Sequence, residues 1–539
     1  MTLRGAWTEF GRYWALALVV LGAILAWPVS SMMGWTLLWP LLLDLLALIG
    51  IHDLIQSRHA ILRNYPIIGQ LRFFLEFIRP EMRQYFIESD TEALPFSRSQ
   101  RSLVYQRAKQ EVDKRPFGTL HDPYEPGYAW INHSMTPGRP AGHDFRVIVG
   151  GAECTQPYSL SLLNISAMSF GALSANAIRA LNRGAKKGGF AHDTGEGSIS
   201  IHHRAAGGDL IWEVGTGYFG CRSADGRFDP ERFAAAAADA QVKMIEVKLS
   251  QGAKPGHGGV LPAAKVSAEI AQARGVPLGQ DCLSPGSHSA FSTPLGLLEF
   301  VRTLRTLSGG KPTGFKLAIG HPWEWFAIVK AMMDSGITPD FIVVDGKEGG
   351  TGAAPAEYID RVGVPMREGL LLVHNALVGA GLRDRVRIGA AGKIITAFDM
   401  ARTMAIGADW CNAARGFMFA LGCIQAQHCH TDQCPTGVAT QDALRQRALV
   451  IGDKAERVYH FHRNTMAALA DLVGSAGLSH PGALHPDHIM VRINRFDARP
   501  LSVIHEFLQP GELLEDPSRL AVFDAYWRRA RPDSFALPS

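Results

Sequence analysis

The feature that most limits the possible folds is a regular alternation of short apolar segments and helical segments along residues 159–440. Alternating strand and helix patterns predict βαβ units and a parallel sheet. Eight such units over about 260 residues match a (β/α)8 barrel of the TIM type in number and length. An α/β open, doubly wound sheet is the alternative. The candidate strands are SLLNISAM, GGFAHDTG, MIEVKLS, PLGQDCLS, TGFKLAI, DFIVVDG, RVRIGAA and DWCNAAR.

A long uncharged run lies near the start of the chain, from Tyr13 to Leu43, with a proline and two serines near its middle. Because roughly 20 apolar residues cross a bilayer, the pattern predicts two transmembrane helices, about 13–33 and 35–52. Asp44 either faces the partner helix or marks a shallow second helix. Arginines flank the hairpin and its turn has none, which predicts a cytoplasmic (inner) membrane protein with its catalytic domain in the cytoplasm. The flanking residues are Arg4, Arg12, Arg58 and Arg63.

Changes in composition and pattern along the chain divide it into four regions. We predict a transmembrane hairpin over 1–55, a linker or adaptor over 56–158, the barrel over 159–440 and a helical extension over 441–539. The net charge of +4 is small and no Lys/Arg block occurs, so the chain has no nucleic-acid-binding signature. Four of the cysteines are scattered singly, which favours a reducing compartment.

The remaining three cysteines, Cys423, Cys429 and Cys434, form a C-x5-C-x4-C array. Soft thiolate ligands suit iron-sulfur clusters and zinc. Three thiolates are one short of a four-cysteine site, so the array predicts either a three-iron cluster or a fourth ligand, with His428 and His430 the nearest candidates. Three unrelated buried thiols are the alternative.

Charged and glycine-rich segments follow several predicted strands, where a barrel carries its functional residues. Residues 392–393 and 414–416 would expose backbone amides to an anion, which favours a phosphate-bearing cofactor such as FMN. Lys316 lies inside a strand, and a buried amine requires an anion. That anion is either a reduced flavin ring or an acid such as Asp345. Glu196, between glycines, can act as an acid or base or bind ammonia.

Five motifs together resemble the synthase domain of glutamate synthases, over about residues 155–445. They are SAMSFGALS (166–174), DTGEG (193–197), KLSQGAKPGHGGVLP (248–262), DGKEGGTGAAP (345–355) and GCIQAQHCHTDQCPTGVATQ (422–441). The hairpin, with RNYPIIG, SPGSHSAFSTP and GAAGKIITAFDMA, is similar to the short, membrane-anchored bacterial FMN-binding glutamate synthase-like proteins.

The resemblance implies a barrel that binds FMN and a 3Fe-4S cluster held by Cys423, Cys429 and Cys434. In the family, electrons pass from the cluster to FMN, which reduces 2-iminoglutarate formed from 2-oxoglutarate and ammonia. Glu196 is then expected to receive ammonia, and Glu196 and Lys254 to be catalytic. The residues expected to line the flavin are Met168, Ser169, Lys248, Lys316, Gly350, Gly392, Lys393 and Gly416. Those expected to hold the 2-oxo acid carboxylates are Ser250, Gln251, Lys254 and Arg274.

Departures from the family pattern affect the expected partners. The chain shows no glutaminase domain, so we expect ammonia to arrive free or from a separate glutaminase subunit. His257 replaces the family's usual acidic residue, which leaves the identity of the 2-oxo acid open. No G-x-G-x-x-G follows a strand, which favours ferredoxin or a separate reductase over direct NAD(P)H use. Two alternatives remain: an electron-transfer module without imine chemistry, and a binding protein with a structural zinc site.

Overall fold

The computed structural model describes residues 11–92 and 94–537. The chain forms two compact units, Met1–Glu92 and Ala93–Ser539. Arg4, one of the arginines used to predict the orientation of the hairpin, lies outside the described residues.

The first unit consists of helices. They are α1 (Trp14–Met33), α2 (Leu38–Ile55), α3 (Ala60–Asn64) and α4 (Ile68–Met82), the last continuing into a π-helical turn, Arg83–Ile87. Gly34 ends α1 in the left-handed conformation, with φ of 66°, which favours glycine. The helices α1 and α2 are each long and apolar enough to cross a membrane. Their packing against each other forms the predicted hairpin.

Asp44 in α2 accepts a hydrogen bond from the indole Nε1 of Trp27 in α1, at 3.0 Å. The aspartate therefore faces the partner helix, which was one of the two arrangements that the sequence left open. A carboxylate in an apolar helix requires such a partner because an unpaired polar group is costly there.

The second unit begins with helix α5 (Arg98–Lys109) and three short strands, β1 (Ala129–Ile131), β2 (Arg146–Val149) and β3 (Tyr158–Ser161). Helix α5 starts with a capping box at Ser97 and Gln100, whose side chains satisfy each other's backbone amides. Strands β2 and β3 pair antiparallel.

Eight parallel strands then close into a barrel, as predicted from the sequence. In chain order the strands of this region are β4 (Leu163–Ile165), β5 (His192–Asp193), β6 (Leu210–Val214), β7 (Val242–Lys248), β8 (Val260–Leu261), β9 (Cys282–Leu283), β10 (Thr313–Leu317), β11 (Phe341–Asp345), β12 (Arg387–Ala391) and β13 (Trp410–Ala413). The pair β8 and β9 lies outside the barrel. Strand β13 pairs with β4 and closes the ring.

Helices connect most of the barrel strands. They are α6 (Ala175–Gly188), α7 (Ile201–Arg204), α8 (Pro230–Ala237), α9 (Ala268–Arg274), α10 (Pro294–Leu307), α11 (Pro322–Ser335), α12 (Ala356–Arg361), α13 (Met366–Gly379), α14 (Ala397–Ala405) and α15 (Arg415–Leu421). Several begin at Ser, Thr or Asp caps, such as Ser174 for α6 and Asp229 for α8, which explains where these helices start.

One of the eight predicted strands was wrong. The segment PLGQDCLS contributes only β9, which pairs antiparallel with β8 in an excursion between β7 and β10. The barrel strand that the analysis missed is β6, LIWEV. Glu213, the fourth of its five residues, interrupts the apolar pattern, and the preceding helix α7 has only four residues, so this βα unit lacks the usual helical signal.

The C-terminal region is mainly helical, with α16 (Ala443–Arg447), α17 (Ile451–Ser475), α18 (Leu501–Ile504), α19 (Glu512–Glu515) and α20 (Ala521–Tyr526). Strands β14 (Ile489–Arg492) and β15 (Ala498–Pro500) join β1 in an antiparallel sheet. The long α17 packs against α6 and α5 and so ties the segments before and after the barrel to its helical layer.

Candidate active site and metal centre

The barrel interior holds a buried cluster of charged side chains on neighbouring strands. The ammonium of Lys316 on β10 forms ion pairs with Glu213 on β6 and, at 3.2 Å, with Glu246 on β7. Carboxylate oxygens of Asp193, Glu213 and Glu246 lie within 4.8 Å of one another. Lys316, expected to meet a flavin ring or an acid such as Asp345, is thus held by two acids that the sequence analysis did not name.

Burial, with the charges of neighbouring acids, raises the pKa values of two of these acids, Asp193 and Glu246. Burial raises the pKa of Glu246 to about 7, with Lys316 acting against the shift and Glu213 adding to it. Burial and the charge of Glu246 raise the pKa of Asp193 well above its usual range. The pKa of Lys316 is raised because the surrounding carboxylates outweigh its burial. Glu246 and Asp193 therefore keep their protons to a higher pH than exposed acids do.

Glu196 lies beside the cluster, in the loop after β5. Its carboxylate accepts a hydrogen bond from Lys248 of β7 at 2.9 Å. Burial opposes ionisation, but Lys248, Arg274 and Lys254 together lower the pKa of Glu196 to about 2. A side-chain carbon added at Gly259 would lie 2.2 Å from the carboxylate, so the loop after β7 can cover Glu196 only with glycine there.

The residues expected to hold the substrate carboxylates have different surroundings. Lys254 is only 4% exposed and makes no ion pair within the described residues. Arg274 donates to the carbonyl of Phe170 at 3.2 Å and to the hydroxyl of Ser169 at 3.4 Å. The hydroxyl of Ser250 accepts from the amide of Ala318. Ser250 is thus already bonded to the end of β10, whereas Lys254 retains donor capacity.

Gln251 and His257 lie in the same loop, which follows β7. The next residue, Gly252, donates its amide to Asp345 at 2.9 Å, which anchors the loop beside β11. The His257 ring packs edge-on against Tyr358, with the ring centroids 5.4 Å apart, and its Nδ1 lies 2.9 Å from the carbonyl of Gly258. His257 therefore packs within the loop region.

A basic cradle lies where β12 and β13 end. Lys393 and Arg415 are both half-buried, and neither has a carboxylate within 4.0 Å among the described residues. Burial and the neighbouring Arg415 lower the pKa of Lys393. Gly392 has a φ of 150°, and a side-chain carbon there would lie 3.0 Å from Met366. Two cations held together without an acid fit an anion such as the phosphate of FMN.

Of the other residues expected at the flavin, Gly350 and Gly416 lie beside Arg415, whereas Met168 and Ser169 follow β4. Gly350 lies close enough to Arg415 that a side-chain carbon would be 3.0 Å from its Nε. Gly416 is buried in the first turn of α15. Met168 and Ser169 follow β4, and a side-chain carbon at Gly195 would lie 2.6 Å from the amide of Ser169. The loops after β4 and β5 are therefore packed backbone to backbone.

Cys423, Cys429 and Cys434 lie near one another after α15 as free thiols. Burial raises the pKa of Cys423 to about 12, and the two other thiols add to the shift. At Cys434, hydrogen bonds from Thr436 and from backbone amides outweigh burial and lower its pKa. Thiolates are soft ligands that suit iron-sulfur clusters, and three of them close together fit a cluster with three cysteine ligands.

Lys265 supplies a buried positive charge next to the thiols, and the sequence analysis missed it. Its ammonium donates to the carbonyls of Ala172, Cys429 and Ala439. Burial lowers its pKa, while the nearby Asp432, Cys429 and Cys434 raise it. A fixed cation of this kind compensates the charge of thiolates. The lysine in LPAAK could have been singled out because it interrupts an otherwise apolar turn.

Comparison with known proteins agrees with these features. Residues 144–479 match the family described as a conserved region in glutamate synthase. The glutamate synthase large subunit-like protein YerD of Bacillus subtilis is 37% identical over 508 residues, covering 86% of this chain and 96% of that protein. The archaeal glutamate synthase [NADPH] of Methanocaldococcus jannaschii is 33% identical over 341 residues, 63% of this chain and 64% of that protein.

A longer relative shows that the match is to one part of some glutamate synthases. The glutamate synthase [NADPH] large chain of Bacillus subtilis is 32% identical over 340 residues, which is 60% of this chain but 21% of that protein. The family match covers more than half of the chain and contains all the barrel strands, the basic cradle and the cysteine array. The chain therefore belongs to the glutamate synthase family.

Proposed function

We propose that this protein is a membrane-tethered oxidoreductase that binds FMN and a 3Fe-4S cluster and reduces the imine of a 2-oxo acid. The simplest such reaction converts 2-oxoglutarate and ammonia to glutamate. The observation that carries the proposal is the setting of Glu196, one carboxylate facing Lys248, Lys254 and Arg274. The excess of positive charge beside an ionised acid suits a dicarboxylate substrate and an ammonium ion together.

The depressed pKa of Glu196 defines its role. A carboxylate with a pKa of about 2 is a poor base at neutral pH, so Glu196 binds ammonium by charge and hydrogen bonding. Lys254 is the better proton donor, because burial lowers the pKa of its ammonium. Imine formation releases water, and its reduction consumes one hydride and one proton. Lys254 is placed to supply that proton, and Arg274 to hold a carboxylate of the substrate.

The two prosthetic groups have matching donor sets in the chain. Lys393 and Arg415, with the backbone at Gly392, would hold the FMN phosphate, and FMN would supply the hydride for imine reduction. Cys423, Cys429 and Cys434 would hold the 3Fe-4S cluster, which would supply electrons. Lys265 supports the thiolates by charge.

The electron donor and the source of ammonia are tested together. Anaerobic assays of the purified protein should contain 2-oxoglutarate, either ammonium or glutamine, and either reduced ferredoxin or NADPH, and should follow glutamate. The names of two relatives include NADPH, whereas the absence of a dinucleotide fingerprint in this sequence favours ferredoxin or a separate reductase. Turnover only with ammonium supports a separate glutaminase. Flavin reduction without amination of any 2-oxo acid would favour the electron-transfer module.

Membrane tethering is supported by the first unit. Beyond the two apolar helices, α4 exposes Leu71, Phe74 and Leu75, each more than half accessible. Asp53, buried in the last turn of α2, accepts from the amide of Ile67 and from Gln70, which fixes the start of α4 beside the end of the hairpin. An apolar helix face at that level fits the lipid headgroup region.

Alkaline carbonate extraction of cell membranes tests the tether. The full-length protein should stay in the pellet, and release by carbonate or by high salt would reject it. Protease treatment of inside-out and right-side-out vesicles tests the orientation, since a cytoplasmic barrel is cleaved only in inside-out vesicles.

A further inference from the structure

A cavity of about 270 Å³ lies outside the barrel wall, between strand β6 and helices α8 and α9. Its lining contains four arginines and no acidic residue among the described residues. Apolar side chains complete its walls. The residues that matter for the argument are Arg204, Arg222, Arg232, Arg274, Trp212 and Ile199. We call this space the arginine cavity.

Two buried donors at the arginine cavity lack partners. The indole Nε1 of Trp212 and the Nε of Arg274 have no hydrogen-bond acceptor within the described residues. Trp212 is fully buried and Arg274 is 4% exposed. Because Glu213 points into the barrel toward Lys316, Trp212 on the same strand points outward, where it stacks on Phe233 of α8. Buried donors without acceptors are costly and call for an acceptor in the cavity.

The charges at the arginine cavity are only partly balanced. Arg204 pairs with Asp239 at 2.8 Å and Arg232 pairs with Asp229 at 3.5 Å. Arg222 and Arg274 have no carboxylate within 4.0 Å in the described part of the chain. Two guanidinium groups therefore remain available for an anion.

We propose that the arginine cavity binds a small organic dianion of the dicarboxylate class. Arg222 and Arg274 supply charge-assisted hydrogen bonds to carboxylates, and Trp212 donates through its indole. The walls at Ile199, Trp212 and Ala236 pack against a short carbon chain, which inorganic phosphate lacks. A cavity of this volume accommodates a chain of four or five carbons.

The arginine cavity is separate from the site around Glu196 but shares one residue with it. The Nη2 of Arg274 contacts Ser169 and Phe170 on the side of the proposed active site, while its Nε is unpaired. An anion in the arginine cavity would hold the guanidinium from one side, so binding at the two sites is linked, and the linkage is reciprocal. This step rests on the proposed function, whereas the anion site itself does not.

Isothermal titration of the purified full-length protein with glutarate, an unreactive dicarboxylate, tests the proposal. The wild-type protein should bind two glutarates per chain. Arg222→Gln and Trp212→Phe should each weaken glutarate binding at the arginine cavity at least tenfold. The event assigned to Lys254 should remain. Lys254→Gln should abolish the other event. Arg227→Gln is the matched control, because Arg227 is exposed, pairs with Asp225 and does not line the cavity.

The possible outcomes are distinct. In the first, the wild type shows a single event that Lys254→Gln abolishes and both cavity variants leave unchanged. That result overturns the proposed dianion site in the arginine cavity and leaves the proposed function standing. If the wild type shows the event at the arginine cavity but not the event assigned to Lys254, the substrate site is overturned and the arginine cavity stands. Phosphate that competes for the cavity as tightly as glutarate overturns the dicarboxylate assignment. Circular dichroism and bound-flavin content of each variant establish that it is folded.

Discussion

The ammonium of Lys248 lies 2.9 Å from the carboxylate of Glu196, although the two residues are 52 positions apart and strand β6 lies between their strands in the barrel. This contact joins the loop after β5 to the end of β7 at the mouth of the barrel. With Arg274 and Lys254 nearby, it keeps Glu196 ionised at neutral pH. A site that binds both ammonium and an acid needs a fixed anion among cations.

Replacement of Glu196 tests whether this anion is needed to bind ammonium. Glu196→Gln keeps the shape and removes the charge, so we expect turnover with ammonium to fall about 100- to 1,000-fold, as expected when one partner of a buried, hydrogen-bonded charge pair is removed. The KM for ammonium should rise and bound FMN should stay unchanged. Glu299→Gln, at an exposed helix position, is the control. Unchanged kinetics in Glu196→Gln would remove ammonium binding from this residue.

The pH dependence of stability tests the buried cluster. Burial raises the pKa of Glu246 to about 7 from its usual 4.5, so between these values the folded protein binds more protons than the unfolded chain. Stability therefore falls as the pH rises through this window, by up to about 1.4 kcal/mol per pH unit for one proton. Thermal unfolding of wild type and Glu246→Gln in detergent, at half-unit steps from pH 5 to pH 8, checks this.

The variant should show a flatter dependence of Tm on pH than wild type. Lys316 keeps an acid partner in the variant, because Glu213 still contacts it. Parallel curves for the two proteins would show that Glu246 does not titrate in this window. Glu324→Gln is the comparison for a partly buried acid on a barrel helix, outside the cluster.

The barrel was predictable because short β-rich segments alternate with helical segments, whereas β6 follows a helix of only four residues and was missed. The charged interior could have been inferred in part. Glu246 and Lys248 are two positions apart on β7, so they share one face of the strand. The sequence alone did not identify the partner of Lys316, since Glu213 lies 103 positions away and only the pairing of β6, β7 and β10 brings the two together.

Sequence motifs also identified the functional loop residues only in part. Motifs identified Glu196 and the cysteines, but the support from Lys265 depends on three carbonyls from separate segments. No local pattern records such contacts. Arg274 likewise lines the arginine cavity and contacts Ser169 and Phe170, which lie more than 100 positions away in the sequence.

Cys434→Ser tests the cluster. Serine oxygen is a poor substitute for a thiolate toward iron, so we expect loss of the broad visible absorbance and of most acid-labile sulfide, with flavin absorbance retained. Cys154→Ser is the matched control, because Cys154 is a half-buried thiol outside the array that bonds the carbonyl of Gly310. Zinc in the wild-type protein with no iron would contradict the assignment.

Removal of one cation from the basic cradle tests the phosphate site. Burial lowers the pKa values of both Lys393 and Arg415, and the charge of Arg415 adds to the shift at Lys393. A bound phosphate dianion relieves both effects. We therefore expect Lys393→Met to weaken FMN binding about 10- to 100-fold, as the loss of a charge-assisted hydrogen bond predicts. Equilibrium dialysis of deflavinated protein against FMN at low and high salt measures the change.

Riboflavin separates the phosphate contact from contacts with the ring. Because riboflavin lacks the phosphate, its affinity should be almost the same in wild type and Lys393→Met. Lys243→Met, at the opposite end of β7 and paired with Asp209, should change neither affinity. Equal losses for FMN and riboflavin would place Lys393 at the ring or implicate a general loss of fold. A loss confined to FMN, and reduced at high salt, identifies the ends of β12 and β13 as the place where this barrel holds its phosphate.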